Sequence, residues 1–307
     1  MTTKYMDESQ NTSPEKDNRS HISDTFHAKF SFQNQIPDYI LVSSSGTHFY
    51  VHRSFLVGSS SNDFGSLFKS VSPIVGDAGL ALPRVGESNL LPKSSVSQSS
   101  AVLDAILSSI YKVPSDGNYS LSLFDLLDSI TSLFAFGIAL DSVLISSAPL
   151  YQEIVALSDQ SPLCIYTTAA EYGLDDIAVA VSAQLLNLPL TSISEDEVQR
   201  MGPVYLKRLV NMQAHRATFL KTLLLQFPEA HSDKAECTVA DRSMLAAAWT
   251  VALAGLTWEI GAGTSEKVLR SAFAPLLAHA ACDECRELVS ARVEEIMYDW
   301  AEAKTTI

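Results

Sequence analysis

A chain of 307 residues with 47% hydrophobic side chains is long enough for about two domains, each with a sizeable core. Its 21 Lys and Arg against 35 Asp and Glu give a net charge of -14, which disfavours direct nucleic-acid binding, because that rests on clustered cations displacing counterions. The acidity is spread, with four basic to five acidic side chains in residues 1–37, five to ten in 38–157 and twelve to twenty in 158–307, so it reads as folded surface that repels anionic membranes.

Residues 1–35 read as a disordered N-terminal arm: the opening "MTTKYMDESQNTSPEKDNRS" has no apolar core of a secretory signal and is too polar to pack. The charge-free runs at 177–194 and 243–258 do not read as spans, the first being broken by Gln184, Asn187 and Pro189 and the second falling short of about 18 apolar residues. The expectation is an intracellular chain with no membrane partner. Its four cysteines are then reduced, and the sequons at Asn11, Asn18 and Asn118 are chance matches.

After the arm, "DYILVSSSG" and "THFYVHR" predict a β-hairpin turning near Ser45 and Gly46, with Tyr39, Leu41, Phe49 and Val51 available for burial. From Arg53 the spacing becomes helical, and Phe55, Leu56, Phe64, Leu67 and Phe68 predict two short helices. Residues 70–98, rich in Gly, Pro and Ser, read as loop with "LALPRV" as the one candidate strand. Val102, Leu103, Ile106, Leu107 and Ile110 lie on one helical face that ends at a Pro-Ser-Asp-Gly turn. A capping box of Ser122 and Asp125 starts a helix through Phe136, and another apolar helix fits 142–157.

From Ser158 the chain reads as all helix. Pro162 opens a helix that ends at Gly173, "LDDIAVAVSAQLLN" follows, and Ser194 with Glu197 forms a second capping box. Residues 203–227 are amphipathic, "RSMLAAAWTVALAG" makes another helix, and two more fit 264–280 and 284–303. No internal repeat stands out.

The segment "DYILVSSSGTHFYVHRSFL" resembles the opening of a BTB/POZ domain through Asp38, Ile40, Val42, Gly46, Phe49, Val51, His52, Arg53 and Leu56, and the family's next element is matched by Ser61, Phe64, Leu67 and Phe68. "AILSSIYKVPSD" and "SPLCIYTTAAEYGLDDIAVAVSAQLLNLPL" are similar to its fungal, mushroom-type branch. The resemblance covers roughly residues 36–230. It implies an α+β fold, a small sheet with flanking helices over residues 36–157, followed by an all-α domain over 158–307. It also implies a non-enzymatic protein-interaction module that can self-associate, with Phe26, Phe30, Phe32, Ile36, Phe55 and Leu56 as the candidate dimer interface and His52 as a structural residue. Asp38, Arg53, Phe64 and Phe68 complete that structural motif. Gly58 and Gly65 fall where the resemblance places helix, at a cost of about 1 kcal/mol each relative to Ala.

An alternative within the family is an adaptor for a cullin-type ubiquitin ligase, whose hydrophobic-x-Glu motif has its nearest match at Val75-Gly76-Asp77. A third reading belongs to another class. "HAACDEC" offers His279, Cys282 and Cys285, with His231 and Cys237 at a distance, as metal ligands. One Cys-x-x-Cys without a second pair is weak, and two cysteines on one helix face serve equally as small apolar packers, so the expectation is no metal, no cofactor and no catalytic residue. "GSSSN" at 58–62 is not a nucleophile elbow, and "GAGTSEK" at 261–267 is not a phosphate loop but a helix end at Gly261 and a new cap at Thr264. Trp249, Trp258 and Trp300 read as core.

Overall fold

Continuous apolar runs, buried at three successive residues in each strand, put Tyr39–Val42 (β1) against His48–Val51 (β2) in an antiparallel hairpin, with Leu41 opposite Phe49. The computed structural model in which this is seen describes residues 21–68, 91–114, 119–256 and 258–307. The hairpin turn places Gly46 at φ +85°, which a side chain would oppose, and the Gly46 amide donates to the Ser43 carbonyl at 2.9 Å. Ser43, Ser45 and Thr47 then share hydroxyl hydrogen bonds of 2.6 to 2.9 Å with Ser100, pinning the turn to the start of the helix that follows.

A third strand, Lys93–Ser95 (β3), runs parallel to β1 and gives the order β2-β1-β3. It lies in what reads as loop. Three polar residues carry no period, and the strand exists because Ile40 donates to Pro92 and Val96 to Val42 at 3.0 and 2.9 Å. The candidate strand "LALPRV" and the Val75-Gly76-Asp77 match lie outside the described residues, as do residues 1–20.

Arg53–Gly58 forms the first short helix, α1, but the second expected helix is absent from 61–68. Asp63, Phe64, Gly65 and Ser66 instead take φ between +54° and +65°. Left-handed backbone costs about 1–2 kcal/mol at each non-glycine residue, so the turn needs outside support. Ser60 Oγ accepts from the Phe64 amide, Asn62 Oδ1 accepts from the Gly65 amide, and Asn62 Nδ2 donates to the Ala135 carbonyl at 2.8, 2.7 and 2.9 Å. Phe64 is thereby stacked on Phe136 at 4.3 Å, and Gly65, a poor helix former, suits the turn that replaces the helix.

Ser99 caps Ser100–Tyr111 (α2), which ends at Lys112 in the left-handed region. The predicted capping box starts Leu123–Ala135 (α3). The single helix expected over 142–157 is two, Leu140–Val143 (α4) and Pro149–Ala156 (α5), because proline disfavours helical backbone in the residue before it and itself sits well in a first turn. The chain divides into two compact units between Val143 and Leu144, so α5, expected to close the first domain, belongs to the second unit and packs on a helix there.

That second unit is helical: Pro162–Glu171 (α6), Asp175–Ser182 (α7), Glu195–Leu224 (α8), Val239–Leu256 (α9), Glu266–Phe273 (α10) and Asp283–Glu302 (α11). Glu195, Asp196 and Glu197 favour the α8 start, where Ser194 and Glu197 close the second capping box. Gly202 at φ +67° followed by Pro203 breaks α8. α6 packs on α7 and α8, and a separate core joins the end of α8 to α9, α10 and α11 through Leu220, Trp249, Phe273, Ile296 and Trp300. Trp258, by contrast, is 92% exposed. α9 is long and apolar enough, by length and composition, to cross a membrane; Trp249 ties it to the core by donating from Nε1 to the Leu224 carbonyl at 3.1 Å.

Candidate functional site

In the first unit the residues expected to form an interface fall into two groups. Phe26 and Leu56 are fully buried in the unit's own core, whereas Phe30, Phe32 and Phe55 are half-buried and Ile36 is 61% exposed. The segment from residue 21, expected to be disordered through residue 35, instead lies along β2: His48 donates to the His21 carbonyl, Ser23 to the His48 carbonyl and Tyr50 to the Phe26 carbonyl at 2.8 to 3.0 Å. Its phenylalanines are the reason. Phe26, Phe30 and Phe32 lie 4.9 to 5.6 Å from the Tyr111 ring, and Phe32 lies 4.6 Å from Phe55.

His52 stands at the junction of β2 and α1. Its amide donates to the Tyr111 hydroxyl at 2.9 Å, Nδ1 lies 3.2 Å from that hydroxyl, and Nε2 lies 3.1 Å from the Gln35 carbonyl. Both ring nitrogens are therefore occupied in holding the arm and α2 to the hairpin. Burial pushes the Tyr111 hydroxyl above its ordinary range, so it stays protonated and donating. Asp38 accepts from the Arg53 amide at 2.7 Å, and Arg53 reaches the Phe68 carbonyl at 2.9 Å, with Phe64 and Phe68 buried beside it. His48 is half-buried on β2, where burial and Lys93 lower its pKa.

In the second unit the structure gathers residues the sequence keeps far apart. Residues 225–238 link α8 to α9 without helix, and a turn in which Lys234 and Cys237 exchange backbone hydrogen bonds of 3.1 and 3.3 Å aims Cys237 inward. Cys282 is not inside a helix, as its pairing with Cys285 suggested; it is the N-cap of α11, its sulfur accepting from the Cys285 amide at 3.3 Å. His231 Nε2 lies 3.2 Å from Cys285 Sγ and 3.3 Å from Cys282 Sγ, and the sulfurs of Cys237 and Cys285 are 3.6 Å apart. All four donor atoms lie within 4.8 Å of one another. His279 is exposed at the end of a 3-10 turn and takes no part, and Cys164 lies on α6 outside the cluster.

The surroundings set the protonation states. His231 Nδ1 faces the Ser232 carbonyl at 2.6 Å, which keeps the proton on that nitrogen and turns the Nε2 lone pair toward the sulfurs. That carbonyl is also the main reason the His231 pKa is raised. The Cys285 amide at its sulfur brings the Cys282 thiol down to about 7, while burial pushes Cys285 up to about 12 and raises Cys237. Glu284, held by an ion pair with Lys234, stands 3.8 Å from His231 Nδ1. Comparison with family models, with curated proteins and with solved structures finds no match to this chain.

Proposed function

We propose that this chain is a non-enzymatic protein-interaction module of the BTB/POZ kind, self-associating through its first unit and working inside the cell, where its cysteines remain reduced. The resemblance at Asp38 to Phe68 supports the reading, as does the small sheet with helices in the same unit, β1, β2 and α1 carrying the residues from Tyr39 to Leu56. The observation that carries it is the half-exposed aromatic ledge of Phe30, Phe32 and Phe55, with the exposed Ile36 four residues beyond Phe32 in sequence. Apolar side chains grouped in this way favour a partner surface. The surface uses Phe30, Phe32, Ile36 and Phe55, while Phe26 and Leu56 are buried in the core.

Ile36→Asp is the direct test, because that side chain is too exposed for the change to upset the core. Sedimentation velocity is expected to shift from a dimer to a monomer boundary with the far-ultraviolet circular dichroism unchanged. A dimer that survives the substitution removes this surface from the reading.

A further inference from the structure

Three thiols and one imidazole nitrogen converge at a point between the α8–α9 link and the start of α11, and hydrogen bonding among thiols alone does not require such convergence. A tetrahedral ion with metal–sulfur bonds of about 2.3 Å and a metal–nitrogen bond of about 2.0–2.1 Å sets its donors about 3.5–3.8 Å apart along each edge. The measured separations of 3.2, 3.3 and 3.6 Å, with none above 4.8 Å, are close to that figure.

We propose that His231, Cys237, Cys282 and Cys285 form a closed structural site for a thiophilic divalent cation, zinc, which clips residues 231–237 to the N-terminus of α11. Three sulfurs and one nitrogen select a soft ion over calcium, magnesium or manganese. Four protein ligands leave no open position for a substrate water, which makes the site structural rather than catalytic. Its supporting contacts are those that orient ligands. The Ser232 carbonyl fixes the His231 tautomer, the Cys285 amide points at the Cys282 sulfur, and the Lys234–Glu284 ion pair bridges the two segments that the ion joins.

The location explains what the ion would do. Residues 225–238 form a long connection without helix, and such a connection in a compact unit needs an anchor or a role. Cys237 and Cys285 are buried at the edge of the second core, so ligation there would join the connection to the core containing Trp249 and Val289. Ligands absent from the unfolded chain make metal binding part of the folding free energy.

The full chain, purified under reducing conditions without chelator, is expected to carry one zinc per molecule by elemental mass spectrometry. Cys164→Ser should keep it, and Cys237→Ser and Cys285→Ser should lose it. Because those variants can misfold, the wild-type apoprotein should also be titrated with Co2+, which is expected to produce the intense visible bands of a tetrahedral thiolate complex. His231→Gln, at a loop position, should weaken Co2+ binding by at least about tenfold, whereas His231→Cys should retain it. With zinc bound, Cys237, Cys282 and Cys285 should resist alkylation until chelator is added, while Cys164 reacts alike in both states. Wild-type protein without stoichiometric metal and without a tetrahedral cobalt spectrum would overturn the proposal, and so would metal retained by a Cys237→Ser, Cys285→Ser double variant.

Discussion

Replacing Arg292 by leucine is expected to lower the stability of the second unit by about 3 kcal/mol, or roughly 10 °C in Tm. Arg292 lies buried on α11, and its guanidinium donates to the Leu223 carbonyl at 2.8 Å, the Gln226 carbonyl at 3.2 Å and Gln226 Oε1 at 2.9 Å, with Glu295 as its charge partner at 2.5 Å. The end of α8 has carbonyls short of helical partners; Trp249 serves that of Leu224, and Arg292 serves the buried one of Leu223 and that of Gln226 just beyond. Leucine fills the space but removes the short guanidinium donor, leaving the Leu223 carbonyl only its long 3.4 Å bond from the Gln226 amide and the weak cap contact of Leu225. Arg292→Lys should lose nearly as much, because a point charge cannot span the same acceptors. Thermal melts followed by circular dichroism test this, and a Tm within about 2 °C of wild type for Arg292→Leu would mean that the helix end is satisfied some other way.

The second large effect is expected at Tyr111, on which the first unit's aromatic residues converge. Tyr111→Ala removes a ring in contact with Phe26, Phe30, Phe32, Phe55 and His52 and should cost about 4 kcal/mol. Tyr111→Phe keeps the ring and removes only the hydroxyl that accepts from the His52 amide, so it should cost about 1–2 kcal/mol. Urea denaturation of the two variants separates packing from hydrogen bonding. Equal losses would place the whole effect in the hydroxyl and contradict the packing account. Either variant should also loosen residues 21–35, since their phenylalanines have that ring as a common neighbour.

What was legible in the sequence was local. The hairpin follows from two short apolar runs and one glycine between them, and both capping boxes follow from a serine and an acid three residues apart. The α5 start follows from Pro149, which disfavours helical backbone at Ala148 and so divides the apolar stretch 142–157. Long-range causes were not legible. The spacing of Phe64, Leu67 and Phe68 is helical, yet Ser60, Asn62 and the 135–137 backbone impose a left-handed turn. β3 depends wholly on its neighbour β1. The Trp258 expectation failed because an aromatic residue beside a helix end need not face the core.

The Cys/His cluster lay between these cases. Cys-x-x-Cys was visible, but His279 is nearer in sequence than the histidine that joins it, and no local rule pairs Cys237 with Cys285 across α9 and α10. One signal was available: three of the four cysteines fall in the second half of the helical domain, and Cys282 and Cys285 flank Asp283 and Glu284 rather than lying on an apolar stripe. The capping motif at Thr264 was displaced by one residue, with Ser265 as the cap of α10 and Thr264 Oγ1 accepting from the Gly261 amide at 2.8 Å.

The proposed self-association is tested most directly by the absolute mass of the full chain in solution, measured by light scattering over a dilution series. A mass of twice 33.3 kDa that falls toward 33.3 kDa on dilution is the predicted result. A mass of 33.3 kDa at every concentration would contradict it.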